Sequence, residues 1–170
     1  MAHFIQGLAW SSILQGTNEY AEHARQMLDS VRDNKSIQSS VDVLVGKAFI
    51  AVCTEDTDLG EEVFAELSEV PNMVWGLQIT SRAKGILAQM LGKHELARQY
   101  LGEAIDFCES RGMKPELAWA YSDMSELVAE MDDNPATSQQ LVDKALAIAN
   151  DIGMKPLTNR ILGRRDILKA

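Results

Sequence analysis

The chain lacks most of the features that announce chemistry. Its two cysteines, Cys53 and Cys108, lie inside apolar helical patterns and match no metal-ligand or disulfide framework. A stapled fold is excluded, and a reducing cytoplasm is the expected location. No apolar run approaches the roughly 18 to 20 residues a membrane span needs, and Met1-Ala2-His3-Phe4 lacks the basic flank of a signal peptide. Positive charge is also scarce: 16 Lys and Arg against 25 Asp and Glu leave a net charge of −9. A phosphate-coated partner is repelled over most of such a surface, so nucleic acid is not an expected partner. Period-2 alternation is almost missing, and the expected class is all-α.

Known catalytic signatures fail one by one. His94-Glu95-Leu96-Ala97-Arg98 begins like a zinc-protease helix, but Arg98 stands where the second ligand belongs. Gly46-Lys47 and Gly92-Lys93 suggest a phosphate loop until the required upstream glycine turns out to be Val41 or Leu87. No histidine neighbours Cys53 or Cys108 at helical spacing, and both read as small buried apolar residues rather than nucleophiles. The acidic pairs Glu61-Glu62 and Asp132-Asp133 fall at a helix start and a turn, where carboxylates complement the dipole or stay solvated. The expectation is no metal, no cofactor and no enzymatic activity.

What is present is helical periodicity, at 46% apolar residues. Phe4, Leu8, Ala9, Ile13 and Leu14 form one stripe, Gly16-Thr17-Asn18 breaks it, and Tyr20, Ala21, Ala24, Met27, Leu28 and Val31 begin another. Ser36 is an expected cap for a helix carrying Val41, Leu44, Val45, Ala48, Phe49 and Val52. After an acidic turn, Asp58 and Glu61 suggest a capping box for a helix with Val63, Phe64, Leu67 and Val70. Val74, Leu77, Ile79, Ala83, Ile86, Leu87 and Met90 predict the next helix, paired across Gly92-Lys93 with one holding Ala97, Leu101, Ala104 and Cys108. Pro115 opens a helix through Met131, Asn134 and Pro135 cap and open another through Ile152, and a last helix is expected at about 155–169. Four hairpins follow, at about 3–33, 36–70, 72–111 and 114–152, with the final helix capping the array in a single domain over 1–170. Because the first residues already pattern as a helix, the chain is expected to be a piece or terminal segment of a longer protein.

Gly112-Met113-Lys114-Pro115 is written again as Gly153-Met154-Lys155-Pro156, 41 residues later, with matching apolar flanks. Self-similarity at that period implies stacked supersecondary units. Small residues recur where paired helices would cross: Gly85, Gly92, Ala97 and Ala104 in the third hairpin, Ala9, Gly16 and Ala21 in the first, Ala48 and Gly60 in the second, Ser125, Ser138 and Ala145 in the fourth. Ala or Gly there lets two helices approach closely enough to bury their stripes.

On these residues the chain resembles the tetratricopeptide-repeat family, whose pattern puts a small residue in the first helix, glycine at the turn, and small, bulky, small in the second. Positions 21, 60, 97 and 138 are 39, 37 and 41 residues apart, longer than the roughly 34 of the standard repeat. Residues from Gly112 to Ala170 are similar to C-terminal repeat regions of bacterial class III adenylate cyclase-like proteins and of MalT/LuxR-type ATPase regulators. The resemblance implies a right-handed superhelical array of about four helix hairpins with a C-terminal capping helix. It also implies a non-enzymatic, regulatory protein–protein interaction module of a bacterial signalling protein.

In such arrays the first helix of each unit lines a concave groove. The family's groove positions carry over to His3, Gln6 and Trp10, to Asp42, Val45 and Phe49, to Ile79, Arg82, Ile86 and Gln89, and to Trp119, Ser122 and Glu126. The candidate partner-binding residues are therefore Gln6, Trp10, Phe49, Arg82, Ile86, Gln89, Trp119, Ser122 and Glu126, with the aromatics as anchors and Arg82 as a fixed charge. The alternative is that the aromatics pack between neighbouring repeats. The expected partner is a protein or peptide, another domain of a parent protein, or a second copy of the chain, with a small-molecule ligand in the same groove as the second reading. Chaperone-tail clasping is excluded, because Trp10, Phe49, Ile86 and Glu126 stand where that activity places Asn and Lys. After Gly153 the basic residues Lys155, Arg160, Arg164, Arg165 and Lys169 face one acid, Asp166. That helix either caps the array or docks an acidic surface.

Overall fold

The computed structural model describes residues 1–31, 33–34, 37, 40–75, 78–131 and 134–167, and for Trp75, Arg165, Asp166 and Ile167 the backbone alone. Nine helices are described: α1 Ala2–Gln15, α2 Glu19–Ser30, α3 Val41–Thr54, α4 Thr57–Ser68, α5 Thr80–Met90, α6 His94–Arg111, α7 Lys114–Glu130, α8 Pro135–Asp151 and α9 Lys155–Ile167. Among the described residues the rest of the regular structure is one short ribbon, β1 Val74–Trp75 paired antiparallel with β2 Gln78–Ile79.

Five helix ends share one device. One residue past the helix at Gly16, Glu55 and Gly112, and two past it at Gly92 and Gly153, the backbone turns left-handed, and the next N–H reaches back to the last turn: Thr17 to Ser12 at 3.2 Å, Asp56 to Ala51 at 3.0 Å, Lys93 to Ala88 at 2.8 Å, Met113 to Cys108 at 3.0 Å and Met154 to Ala149 at 2.7 Å. Orphan carbonyls are thereby satisfied. The repeated Gly-Met-Lys-Pro is thus one stop-and-restart element used twice. Its proline enters at the second helical position, where no N–H is needed.

Some boundaries differ from the sequence reading. Ser36 lies outside the described residues, as do Leu77, Asp132 and Asp133, and Ser40 occupies the N-cap position of α3. The cap of α4 is Asp56, whose carboxylate accepts from Leu59 N at 3.0 Å, so Asp58 falls within the first turn. Val74 and Ile79 are not helical. Thr80 fixes this: its hydroxyl donates to Pro71 O at 2.9 Å and accepts from Met73 N at 3.0 Å, tying residues 71–73 to the first residue of α5. Asn134 caps α8 as expected, accepting from Ala136 N and Thr137 N.

Consecutive helices pack against one another, and the helices α1, α3, α5 and α7 also lie side by side. Glycines set how closely they approach. A Cβ on Gly85 would stand 2.6 Å from Leu101 Cγ, one on Gly60 2.6 Å from Met90 Cε, and one on Gly46 3.2 Å from the Gln6 backbone. Each methyl group would intrude on a filled space. Ile5, Leu87 and Leu101, which face these glycines, are fully buried, at about 1.5–3 kcal/mol apiece relative to exposure. α9 does more than cover α8. It reaches α1, where Trp10, Ile13 and Leu14 join Leu157 and Ile161 in one apolar cluster.

Candidate partner-binding cleft

One side chain from each of α1, α3, α5, α7 and α9 meets on the inner side of the array. Trp10 lies 5.3 Å from Phe49 and 5.0 Å from Trp119 between ring centroids. The Arg82 guanidinium sits 4.8 Å from the Trp10 ring and 5.3 Å from that of Trp119, and Arg160 lies 5.4 Å from Trp119. Cations over indole faces are attracted by the ring quadrupole, and more so when desolvated. The three aromatics are therefore brought together, as the groove reading expects, but they fill the middle of the trough. Phe49 is 1% exposed, Arg82 1% and Trp119 3%.

Open space remains at one end of this stack. A cleft of about 1230 Å³ runs between the C-terminal ends of α1, α3 and α5, the face of α7 that carries Asp123, Glu126 and Glu130, and α9. Of the nine candidate residues, Arg82, Ile86, Gln89 and Glu126 line it. Gln6, Trp10, Phe49, Trp119 and Ser122 do not. Gln6 is buried against α3, Ser122 is buried, and its carbonyl accepts from the Ser125 hydroxyl. At the far end His3 Nδ1 and Asp42 Oδ1 are 2.8 Å apart, while Val45 and Ile79 are core residues.

The cleft floor is an ionic knot. Arg82 Nε donates to Asp123 Oδ2 at 2.7 Å and its Nη1 to Glu116 Oε1 at 3.4 Å. Arg160 reaches Asp123 at 3.4 Å and Glu126 at 3.1 Å, and Arg164 also pairs with Glu126. Burial pushes the Glu116 carboxyl above the ordinary carboxylate range, outweighing the opposing pull of Arg82. Three arginines thus converge chiefly on Asp123 and Glu126. Arg82 Nη2 and Glu116 Oε2 take no hydrogen-bond partner. Toward the mouth, Gln89 Nε2 donates to Glu130 at 2.8 Å and His94 lies 3.3 Å from the same carboxylate.

Cys53 lines the cleft, but burial pushes its thiol up to about 11 despite the nearby Arg160. Cys108 is pushed up to about 12, again mainly by burial. Neither presents a thiolate near neutrality. Among the described residues no group of three His, Cys, Asp or Glu side chains is placed to hold a metal ion.

The residues missed from sequence were Asp123, Glu116 and Glu55; Arg160 and Arg164 were read only as part of the basic last helix, not as cleft residues. A signal for two of them exists: Arg82 and Asp123 are 41 residues apart, and a further 41 leads to Arg164. The groove positions carried into the fourth hairpin were one residue short of that interval, landing on Ser122 rather than Asp123. The carry-over failed because the units differ in length.

No family model matches the chain, and neither the curated proteins nor the solved structures contain a significant match to it.

Proposed function

We propose that this chain is a non-catalytic docking module of the tetratricopeptide-like kind, a right-handed superhelical array that holds a segment of a partner protein or of a neighbouring domain in its inner cleft. It works in the cytoplasm as the regulatory part of a larger signalling or transcription-regulating protein. One observation carries the reading: the inner helices close around a fixed aromatic and ionic stack, and leave beside it a cleft of about 1230 Å³ with apolar and charged walls. That volume exceeds the roughly 300–1,000 Å³ of ordinary small-molecule sites and suits an extended chain segment. Support for the array comes from the first helices lying side by side, α1 on α3, α3 on α5 and α5 on α7.

The test is titration with a pooled library of short synthetic peptides, followed by tryptophan fluorescence. Trp10 and Trp119 stand against Arg82, which lines the cleft, and should report its occupation. Gln89→Trp, which crowds the wall, should weaken binding by at least tenfold without changing helical content. Peptide binding that ignores this substitution, or no binding at all, overturns the reading. A small-molecule sensor is the second reading, favoured by the buried charged floor of Arg82 and Asp123, and a metabolite panel giving a saturable fluorescence change blocked by Gln89→Trp would establish it instead.

A further inference from the structure

α9 is held in the array differently from the helices that build it. Ten residues of α7 are buried, whereas from Lys155 to Arg164 only Leu157 and Ile161 are. Those two join the apolar cluster that holds Trp10, Ile13 and Leu14 of α1 and Trp119 of α7. The rest of the grip is ionic: Arg160 and Arg164, both partly exposed, pair with Glu126, and Arg160 also reaches Asp123. Exposed pairs hold weakly and are screened by salt.

The charges of the cleft divide by helix. Its four carboxylates, Glu55, Asp123, Glu126 and Glu130, all lie outside α9, while three of its four cations, Lys155, Arg160 and Arg164, belong to α9. The two signs balance only while α9 is in place.

Release of α9 would strand no buried charge. Asp123, 1% exposed, keeps Arg82 Nε at 2.7 Å when Arg160 withdraws from 3.4 Å, and Glu126, already partly exposed, passes to water. Breaking an ion pair is costly when it leaves a desolvated partner alone, and here it does not. Gly153, left-handed at φ 74° with open space around it, joins α9 to α8 and supplies a hinge.

From this we infer that α9 is an autoinhibitory strap. It swings about Gly153 as one helix, and in its closed position it covers the apolar cluster around Trp119 and occupies Asp123 and Glu126 with its own arginines. This rests on the docking reading: the partner segment and α9 compete for the same face of α7.

The probe is a fluorescein-labelled peptide of residues 154–167, added in trans to the full chain and followed by polarisation. The parent should bind it weakly, because its own α9 is in place. Joining Arg160→Gln to Arg164→Gln loosens the strap and should tighten peptide binding at least tenfold, with amide exchange accelerated over residues 155–167 and unchanged in α7. Arg164→Gln alone, which removes one exposed contact, is the milder variant and should tighten binding about threefold to fivefold. Equal binding by the parent and the variants, or exchange accelerated in α7 as much as in α9, makes α9 a structural cap and sinks the strap. A library peptide that binds while α9 keeps its amide protection also sinks the strap and spares docking. Failure of every library peptide against parent and variants alike sinks docking, and the autoinhibitory role with it.

Discussion

Arg82 Nε and Asp123 Oδ2 stand 2.7 Å apart with 41 residues of chain between them, the interval that also separates Gly112 from Gly153. Gln89 and Glu130, one pair further along the same two helices, meet at the same interval. The packing of α5 on α7 thus has the same offset as the two Gly-Met-Lys-Pro stretches, and it centres on a buried ion pair wedged against two indoles.

Such a pair resists being broken more than it rewards being made, because removing one partner strands a desolvated charge. Asp123→Asn should destabilise the chain by about 3–5 kcal/mol in urea unfolding. Joining Arg82→Met to Asp123→Leu should lose far less than the two single changes summed. A double variant as damaging as the sum would show that the side chains act independently.

Glu116 behaves in the opposite way. Its pKa is raised in the folded chain, so the fold favours the protonated form. Its stabilising contribution is complete below the ordinary carboxylate pKa, and declines as pH rises from there toward the raised value. Glu116→Gln should remove that decline, leaving a variant at least as stable as the parent at neutral pH. The check is the difference between the two stability–pH curves, which should grow in the variant's favour above pH of about 4.5.

Asp56 supplies the opposite slope. The Leu59 N–H, and then the Arg25 guanidinium at 2.9 Å, hold its carboxyl below the usual range. Its contribution is present above the ordinary pKa and is lost as pH falls through the lowered one. Asp56→Ala removes the cap of α4 and should cost about 1–2 kcal/mol at neutral pH. The deficit should narrow in acid, and a deficit independent of pH would count against the charge.

Gly85→Ala places a methyl 2.6 Å from Leu101 Cγ and 3.2 Å from the Leu101 backbone nitrogen. Overpacking of this kind should cost about 1–3 kcal/mol, although alanine is the better helix former by about 1 kcal/mol. Thermal unfolding of Gly85→Ala beside the control Gly102→Ala, where nothing stands within 4 Å, decides which effect wins. A stabilised Gly85→Ala would mean that α5 and α6 adjust freely.

Cys53 and Cys108, with thiols pushed up to about 11 and about 12, should react slowly with a disulfide reagent at pH 8 and both react promptly in denaturant. Rapid labelling of Cys53 in the native chain would show that the cleft opens to solvent more than its burial implies.

Periodicity and punctuation were enough to read the helices: Gly112 and Gly153 end them, Asn134 starts one, and the apolar stripes face the core. The exception was residues 74–79, where Thr80 satisfies backbone groups through its hydroxyl and a ribbon forms where the stripe predicted a helix. That Trp10, Phe49 and Arg82 share one side of their helices was also legible, and they do meet, as mutual packing partners.

Whether those residues line a groove or plug it was beyond the sequence. Helical spacing fixes which face a side chain occupies, because the rise and twist of each helix are local properties of the backbone. How far the inner helices close on one another depends on close approaches such as Gly46 to Gln6 and Gly85 to Leu101, and on α9 reaching back to α1. Those are contacts between residues distant in the chain, and they alone decided that Trp119 is buried while Glu55 and Glu130 face the cleft.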